Sequence, residues 1–193
     1  MQSEGIMRLF HAGYRQIEHP DVHYGRKNAD FGQGFYLSDS EEFAGRWTPQ
    51  RKGETVFINV YDFDPKGLNI VRLSRDETWL NCISQNRVGR DPYPDADVLI
   101  GPIANDTIFD TLGILTSGLI APSQALRLFS VGPCYTQIAL KSKRAEAALR
   151  FVDAYTPSEE ALSAFAEAQR RDAEGYMNAL SEALSDVLGA DGD

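Results

Sequence analysis

The chain is poor in the residue types that build disulfide frameworks and metal sites. Only two of its 193 residues are cysteines and three are histidines. Cys82 and Cys134 lie far apart and form no C-x-x-C pair, so we expect buried thiols in a reducing compartment rather than a disulfide. His19 and His23 flank Asp21, but no further ligand follows at a suitable spacing. This pattern favours an exposed loop over a metal site.

Long apolar runs and a basic face are missing as well. No run approaches the ~20 apolar residues of a membrane span, and the first residues lack the pattern of a signal peptide. The net charge is −9, and the longest basic cluster covers residues 141–144. We therefore expect no membrane contact and disfavour a nucleic-acid partner. A cytoplasmic protein has this composition, and so does an effector delivered into target cells without a signal peptide.

Two common catalytic signatures are absent. No G-x-S-x-G occurs, which leaves serine-type hydrolysis without support. The Gly-x-Gly of residues 32–34 enters a predicted strand instead of opening a helix, so it does not indicate a βαβ dinucleotide-binding fold. Segregated strands and helices predict an α+β fold instead.

The predicted elements follow from residue pattern and turn signals. Strands are predicted near residues 8–10, 34–38, 55–61, 97–102 and 135–140, where β-branched and aromatic residues dominate. Helices are predicted over 40–47, 76–83 and 122–129. Ser142 is expected to cap a further helix that runs through Ala145, Ala148, Leu149 and Val152.

The chain beyond Pro157 differs from the part before it. Ser158 followed by two glutamates predicts a helix start, and an interrupted apolar stripe then runs from Ala161 to Leu188. We expect this stripe to pack back on the preceding domain, the alternative being a helix that binds a partner. The expected organisation is a domain over residues 7–155 and a helical extension over 156–193.

Two rings stand out because glycines surround them. His11 ends an apolar run, and Tyr36 lies in an aromatic run just after Gly32 and Gly34. Taken singly, each ring is more typical of a hydrogen-bonded or buried structural residue. Glycines, however, remove Cβ atoms where a backbone approaches another group closely, so the pair predicts a ligand between two strand ends.

Four motifs in consistent order extend this pattern along the chain. They are Leu9-Phe10-His11-Ala12-Gly13, the run D-F-G-Q-G-F-Y-L over 30–37, the run D-V-L-I-G-P-I-A-N-D over 97–106, and Q-I-A-L-K-S over 137–142. In these motifs the chain resembles the ADP-ribosyltransferases of the histidine-tyrosine-glutamate type, which include diphtheria-type toxins and poly-ADP-ribose polymerases. Within that clan it is most similar to a bacterial family of short domains.

The resemblance implies a fold and a set of roles. The fold would be an ADP-ribosyltransferase-like split, mixed or antiparallel β-sheet core with flanking helices, and NAD would be the substrate. The implied catalytic residues are His11, Tyr36 and Gln137. The residues implied to bind NAD are His11, Ala12, Gly13, Gly34, Phe35, Tyr36, Asn105 and Asp106. In particular, His11 would bind the adenosine ribose, the Ala12 backbone the nicotinamide amide, and Tyr36 the nicotinamide ring.

One position departs from the best-known members, which have glutamate where this chain has Gln137. An amide hydrogen-bonds a ribose hydroxyl but takes no proton at neutral pH. The base would come from elsewhere, with Asp30 and Asp106 as available carboxylates unless they only cap turns. Arg15, Arg26 and Lys27 are generic candidates for the pyrophosphate.

These features together predict a mono-ADP-ribosyltransferase that acts as a bacterial toxin or effector. A protein acceptor is favoured over nucleic acid, and an antitoxin protein is a candidate partner. Two alternatives stay open at this point. One is an NAD glycohydrolase with the same cleft, and the other is a catalytically inactive module that binds a nucleotide or a protein.

Overall fold

The computed structural model describes residues 5–104 and 121–189, and over these residues the chain is an α+β protein with two sheets and five helices. The strands are β1 (Met7–Gly13), β2 (Phe35–Leu37), β3 (Phe57–Phe63), β4 (Ile70–Arg72), β5 (Val98–Pro102), β6 (Thr136–Leu140) and β7 (Leu149–Tyr155). The helices are α1 (Glu41–Arg46), α2 (Glu77–Arg87), α3 (Pro122–Phe129), α4 (Lys143–Ala147) and α5 (Glu159–Gly189). The predicted α+β class is confirmed.

The strands form two sheets that one described β-bridge connects. One sheet has the order β1-β3-β7, and the other has the order β2-β6-β5-β4. All described pairings are antiparallel except that of β4 with β5. An isolated bridge between Phe10 of β1 and Ser38, which follows β2, joins the two sheets. Beyond this bridge β1 and β2 separate.

Strand β6 divides the hydrophobic core into two parts because its side chains alternate between faces. Ile138 and Leu140 belong to the cluster that also contains Tyr61 and Phe35. Ala139 belongs to the cluster built around Phe31, Trp79 and Ile83 of α2. Trp79 and Ile83 are fully buried, which confirms the predicted inward face of this helix. Gln137 shares the face of Ala139, and the candidate site lies on that face.

Local capping residues set the helix starts, as their sequence positions predict. The Ser40 hydroxyl accepts from the backbone N–H of Phe43, and the Ser142 hydroxyl accepts from that of Ala145. Asp76 caps α2 in the same way. These side chains satisfy donors that the first helical turn leaves without a backbone partner.

The predicted helix through Val152 is wrong. Helix α4 ends at Ala147, and the chain enters strand β7 at Leu149. Over residues 149–155 the strand pairs antiparallel with β3, and the Phe151 ring packs edge-on against Tyr61. Tertiary pairing with β3 therefore outweighs the helical spacing of Ala145, Ala148 and Leu149. Strand β4 is a further element that the sequence pattern missed, and it is only three residues long.

Helix α5 packs against α1 and α3. The Phe165 ring lies so close to Gly45 that a Cβ atom on that glycine would be 2.4 Å from it, and Ala168 and Tyr176 are buried. The expected packing of the apolar stripe is confirmed over this stretch, whereas the side chains of Leu180, Leu184 and Leu188 lie outside those that the structure describes. The division into domains at residue 155 stays a prediction. No helix in the described ranges is long and apolar enough to cross a membrane.

Candidate functional site

The candidate site begins where β1 and β2 separate. Phe10 and Ser38 exchange both backbone hydrogen bonds, at 2.8 and 2.9 Å. In a continuous antiparallel ladder, Ala12 and Tyr36 would form the next such pair. Instead, Nδ1 of His11 lies 2.8 Å from the Tyr36 carbonyl oxygen. The Ala12 N–H and C=O point toward the same edge as those of Phe10, and neither has a partner among the described residues.

The contact to Tyr36 determines which nitrogen of His11 carries the proton. A carbonyl oxygen only accepts, so Nδ1 must donate and Nε2 is left with a lone pair when the ring is neutral. Burial lowers the pKa of His11, and the backbone hydrogen bond to Tyr36 offsets this effect in part. The imidazole is therefore neutral at physiological pH, and Nε2 is a hydrogen-bond acceptor.

Tyr36 can contact a ligand through its aromatic ring, but its hydroxyl does not act as an acid. Its hydroxyl donates to the Gly32 carbonyl at 2.7 Å and accepts from the Phe31 N–H at 3.0 Å. Burial raises the pKa of this phenol far above its ordinary value. The hydroxyl thus holds the loop before β2, and the aromatic face is the part that can contact a ligand.

Gln137 lies near the start of β6 and is 6% exposed. Its Nε2 donates to the Pro102 carbonyl at 3.4 Å, a long hydrogen bond that orients the amide. The amide oxygen Oε1 then remains to accept a hydrogen bond from a ligand hydroxyl.

A cavity of about 250 Å³ joins these side chains, although they come from distant parts of the chain. His11 and Ala12 line it from β1, Tyr36 from β2 and Gln137 from β6. The outer wall comes from α1 and the residues after it, namely Phe43, Ala44, Trp47 and Thr48. The structure thus brings together at one cavity the three residues that the sequence motifs single out as catalytic.

The other residues expected to bind NAD lie in different environments. The Phe35 ring faces the core, where it packs 4.7 Å from the His11 ring and edge-on against Tyr61. Phe35 and Gly34 are not among the residues that line the cavity, and neither is Gly13. Asn105 and Asp106 lie outside the described residues.

The glycines near Tyr36 have a packing reason. A Cβ atom on Gly34 would lie 2.6 Å from the Leu140 carbonyl oxygen of the neighbouring strand. One on Gly25 would lie 2.3 Å from the carbonyl oxygen of Gly34 itself. Close backbone contacts therefore require these glycines whether or not a ligand is bound.

The charged residues proposed from sequence that the structure describes do not line the cavity. Asp30 pairs with the nearly buried Arg87 at 2.6 Å, and this pair holds the loop before β2 on helix α2. Arg15, Arg26 and Lys27 are exposed. Within the described part of the chain, no group of three or more His, Cys, Asp or Glu residues is arranged to hold a metal ion.

Sequence reasoning missed the walls that α1 and α5 contribute. The four-residue spacing of Phe43 and Trp47 indicated only a helix. In the structure both residues also line a second cavity, of about 400 Å³, between α1, the segment before β6 and α5. Asp172 and Tyr176 of α5 line this cavity, and no sequence motif signals them.

The fold and the cavity define an α+β protein with a candidate binding site at the point where two sheets part. The chain belongs to the DUF3990 family, a family of proteins of unknown function, and the match covers residues 7–151. No curated protein and no solved structure matches the chain. Helix α5 begins at Glu159 and lies beyond the matched residues.

Proposed function

We propose that this protein is a mono-ADP-ribosyltransferase that uses NAD as its substrate and modifies a protein, as a bacterial toxin or effector does. The observation that carries the proposal is the separation of β1 from β2. It places the free backbone groups of Ala12, Nε2 of His11, the ring of Tyr36 and the amide of Gln137 around one cavity. The split of the sheet is also what an ADP-ribosyltransferase-like fold would provide.

The cavity offers groups that complement the nicotinamide half of NAD. A carboxamide has both a donor and an acceptor, and the N–H and C=O of Ala12 supply the complementary pair. Stacking of a flat ring on an aromatic face contributes ~0.5–1.5 kcal/mol to binding beyond the burial of surface area. The Tyr36 ring offers such a face to the nicotinamide ring. The cavity of about 250 Å³ is somewhat below the roughly 300–1,000 Å³ of sites for drug-sized ligands, so it suits a ring with its sugar and not a whole dinucleotide.

The hydrogen-bonding state of each polar side chain suits a ribose. The neutral Nε2 of His11 accepts from a hydroxyl of the adenosine ribose without adding positive charge to the site. Oε1 of Gln137 accepts from a hydroxyl of the ribose that carries nicotinamide and holds that sugar in one orientation. Because Gln137 takes no proton at neutral pH, its contribution is orientation and dipolar stabilisation of positive charge that develops on the sugar.

NAD supplies a glycosidic bond whose electron pair leaves on nicotinamide when the bond breaks. The acceptor atom forms the new bond to the same ribose carbon and loses one proton. No Asp or Glu residue lines the first cavity among the described residues, so these residues place no carboxylate base there. This arrangement favours transfer of a single ADP-ribose to an acceptor that is itself nucleophilic.

Hydrolysis is the second candidate function, because water is the smallest acceptor and the same groups would serve. A module that binds a nucleotide without turnover is the third, and the amide at Gln137 is the feature that favours it. An antitoxin that binds over the cavity remains a proposed partner. The three functions differ in product and not in fold.

Incubation of the purified protein with NAD and a bacterial lysate separates them. Nicotinamide release together with ADP-ribosylated protein, identified by mass spectrometry, is expected. Free ADP-ribose without modified protein would assign the glycohydrolase. NAD binding without nicotinamide release would assign the inactive module, and a protein that fails to bind NAD at all would refute the proposal.

A further inference from the structure

The second cavity contains a carboxylate that is held on one side only. Asp172 Oδ2 accepts from Arg46 Nη1 at 2.6 Å and from the Tyr135 hydroxyl at 2.8 Å. Oδ1 has no hydrogen-bond partner within residues 5–104 and 121–189, and the side chain is 35% exposed. One oxygen is thus fixed by two donors, and the other is left for a donor from outside.

A second acceptor lies one helical turn further along α5. Tyr176 is 5% exposed and lines the cavity, and its buried hydroxyl has no hydrogen-bond partner among the residues that the structure describes. Side chains four residues apart are neighbours on a helix, with Cβ atoms about 5–6 Å apart. A buried polar group without a partner is costly, so a ligand that supplies a donor to Tyr176 would bind with favourable free energy.

The charges around the cavity favour a positive ligand. Arg46 pairs with two carboxylates, Asp172 and Glu42, so the cluster has one negative charge in excess. Among the described residues that line the cavity, Arg46 and Asp172 are charged, and the excess negative charge comes from Glu42 beside it. Aromatic rings also line the cavity: Tyr135 stacks on Phe43 at 4.2 Å and has the Arg46 guanidinium 5.3 Å from its ring centroid, and Trp47 is 49% exposed. Such rings attract cations over their faces.

The two cavities are neighbours along strand β6. Tyr135 lines the second cavity and Gln137 the first, and Phe43 and Trp47 belong to both walls. Residues two apart on an extended chain lie on the same side, about 7 Å from each other. A group held in the second cavity therefore lies beside the first.

We propose that the second cavity binds a cationic side chain with at least two N–H donors, of which the planar guanidinium of arginine matches two acceptors and aromatic walls best. This inference rests on the proposed function and identifies the acceptor of the transfer. In the reaction, an acceptor nitrogen bonds to the ribose carbon while the electron pair of the broken bond leaves on nicotinamide. The nitrogen gives its proton to water. Helix α5, which lies outside the family match, would then select the target.

The first test measures binding without NAD. Ethylguanidinium is titrated into the protein, with neutral ethylurea as a matched probe, and the indole N–H signals are followed by NMR. Trp47 is expected to shift with ethylguanidinium and not with ethylurea, while the buried Trp79 serves as the internal reference. Asp172→Asn should weaken binding at least ten-fold. Glu174→Gln, the same change in an exposed pair with Arg170, should leave it unchanged.

A second variant keeps the test valid if Asp172→Asn loosens α5. Met177 lines the cavity and is 55% exposed. Met177→Arg should fill the cavity with its own cation and abolish probe binding while thermal stability is kept. Probe binding that persists equally in Asp172→Asn and Met177→Arg would overturn the inference.

The second test uses NAD and matched peptides that contain arginine, lysine or citrulline. Transfer to the arginine peptide is expected, with citrulline inert because it has the same shape without the charge. Transfer to lysine alone, or to citrulline equally, would refute the guanidinium assignment. The two proposals fail separately. If ethylguanidinium binds as expected but NAD does not, the proposal that the protein is a transferase is wrong. If NAD is turned over but no cation binds, only the proposed acceptor site is refuted.

Discussion

The His11 imidazole takes the position at the Tyr36 carbonyl that the Ala12 N–H would occupy in an unbroken ladder, with Nδ1 and the carbonyl oxygen 2.8 Å apart. One side chain therefore ends the pairing of β1 with β2 just after the Phe10–Ser38 bridge. The same contact frees the Ala12 backbone and orients Nε2. The separation of the strands and the polar groups of the cavity thus have a common cause.

His11→Ala should weaken NAD binding by roughly 2- to 10-fold. The variant loses the acceptor Nε2 and releases the Tyr36 carbonyl, and one hydrogen bond contributes about 0.5–1.5 kcal/mol. Calorimetric titration with NAD measures the effect. His19→Ala, at an exposed histidine, serves as the control. Equal affinity in the His11 variant would show that the ring has only a structural role.

The free energy of unfolding should fall as the pH drops below about 6.5, and His11 should account for part of the fall. Burial lowers the pKa of His11 below its ordinary value of 6.5. Between these two pKa values the unfolded chain binds a proton at His11 that the folded chain does not, so acid favours unfolding. The contribution of His11 to the free energy of unfolding is therefore fully present above about pH 6.5 and is lost as the pH falls. Urea titrations from pH about 7.5 to about 5.5 should show a flatter profile for His11→Asn. Parallel profiles would contradict the assignment.

Tyr36→Phe and Tyr36→Leu should distinguish the role of the Tyr36 hydroxyl in stability from the role of its ring in NAD binding. Loss of the hydroxyl leaves the Phe31 N–H and the Gly32 C=O without their partner, so Tyr36→Phe should cost about 1–2 kcal/mol of stability but keep NAD affinity. Tyr36→Leu removes the ring as well and should weaken NAD binding a further ~2- to 10-fold. Thermal melts and NAD titrations measure the two effects. Loss of affinity in Tyr36→Phe alone would instead assign the hydroxyl to the ligand.

Gln137→Ala should lower kcat and kcat/KM together, because an orienting contact to the ribose counts most in the transition state. The loss expected for one hydrogen bond to a neutral group is roughly 2- to 10-fold. Initial rates of nicotinamide release over a range of NAD concentrations measure it. Thr136→Val is the control, since neighbouring side chains on a strand point to opposite faces. If Thr136→Val is the slow variant instead, the third motif position has been misassigned.

Gly45→Ala should destabilise the protein by roughly 1–3 kcal/mol because its Cβ atom would lie 2.4 Å from the Phe165 ring. Gly175→Ala is the matched control in α5, where a Cβ atom meets nothing within 4 Å. It should stabilise the helix by about 0.5–1 kcal/mol. Phe165→Leu should partly rescue Gly45→Ala in a double-mutant cycle of thermal melts. Additive effects would show that α5 does not contact α1 at this point.

Elements that depend on local signals were predictable from sequence. Ser40 and Asp76 mark helix starts because their side chains cap the first turn, and β6 is recognisable by its own residue types. The prediction failed at Leu149, where local spacing favours a helix and pairing with β3 makes a strand. Short strands such as β4 depend on a neighbour and have no pattern of their own.

The candidate site, like the fold, was predictable from sequence only in part. The motifs single out His11, Tyr36 and Gln137 from the sequence alone. Sequence did not show that the Phe35 ring faces the core, that Gly34 is needed for contact with Leu140, or that Asp30 is paired with Arg87. Each of these depends on which strands and helices are neighbours.

The sequence by itself determined the α+β class, most helix starts and the residues worth testing, because capping, strand propensity and short motifs act over a few positions. Only the tertiary structure decided that Ala12 loses its ladder partner to His11 and that Asp172 reaches Arg46 and Tyr135 from α5. The physical reason is distance along the chain. Asp172 and Arg46 are separated by 126 residues, and the packing of α5 on α1 brings them together.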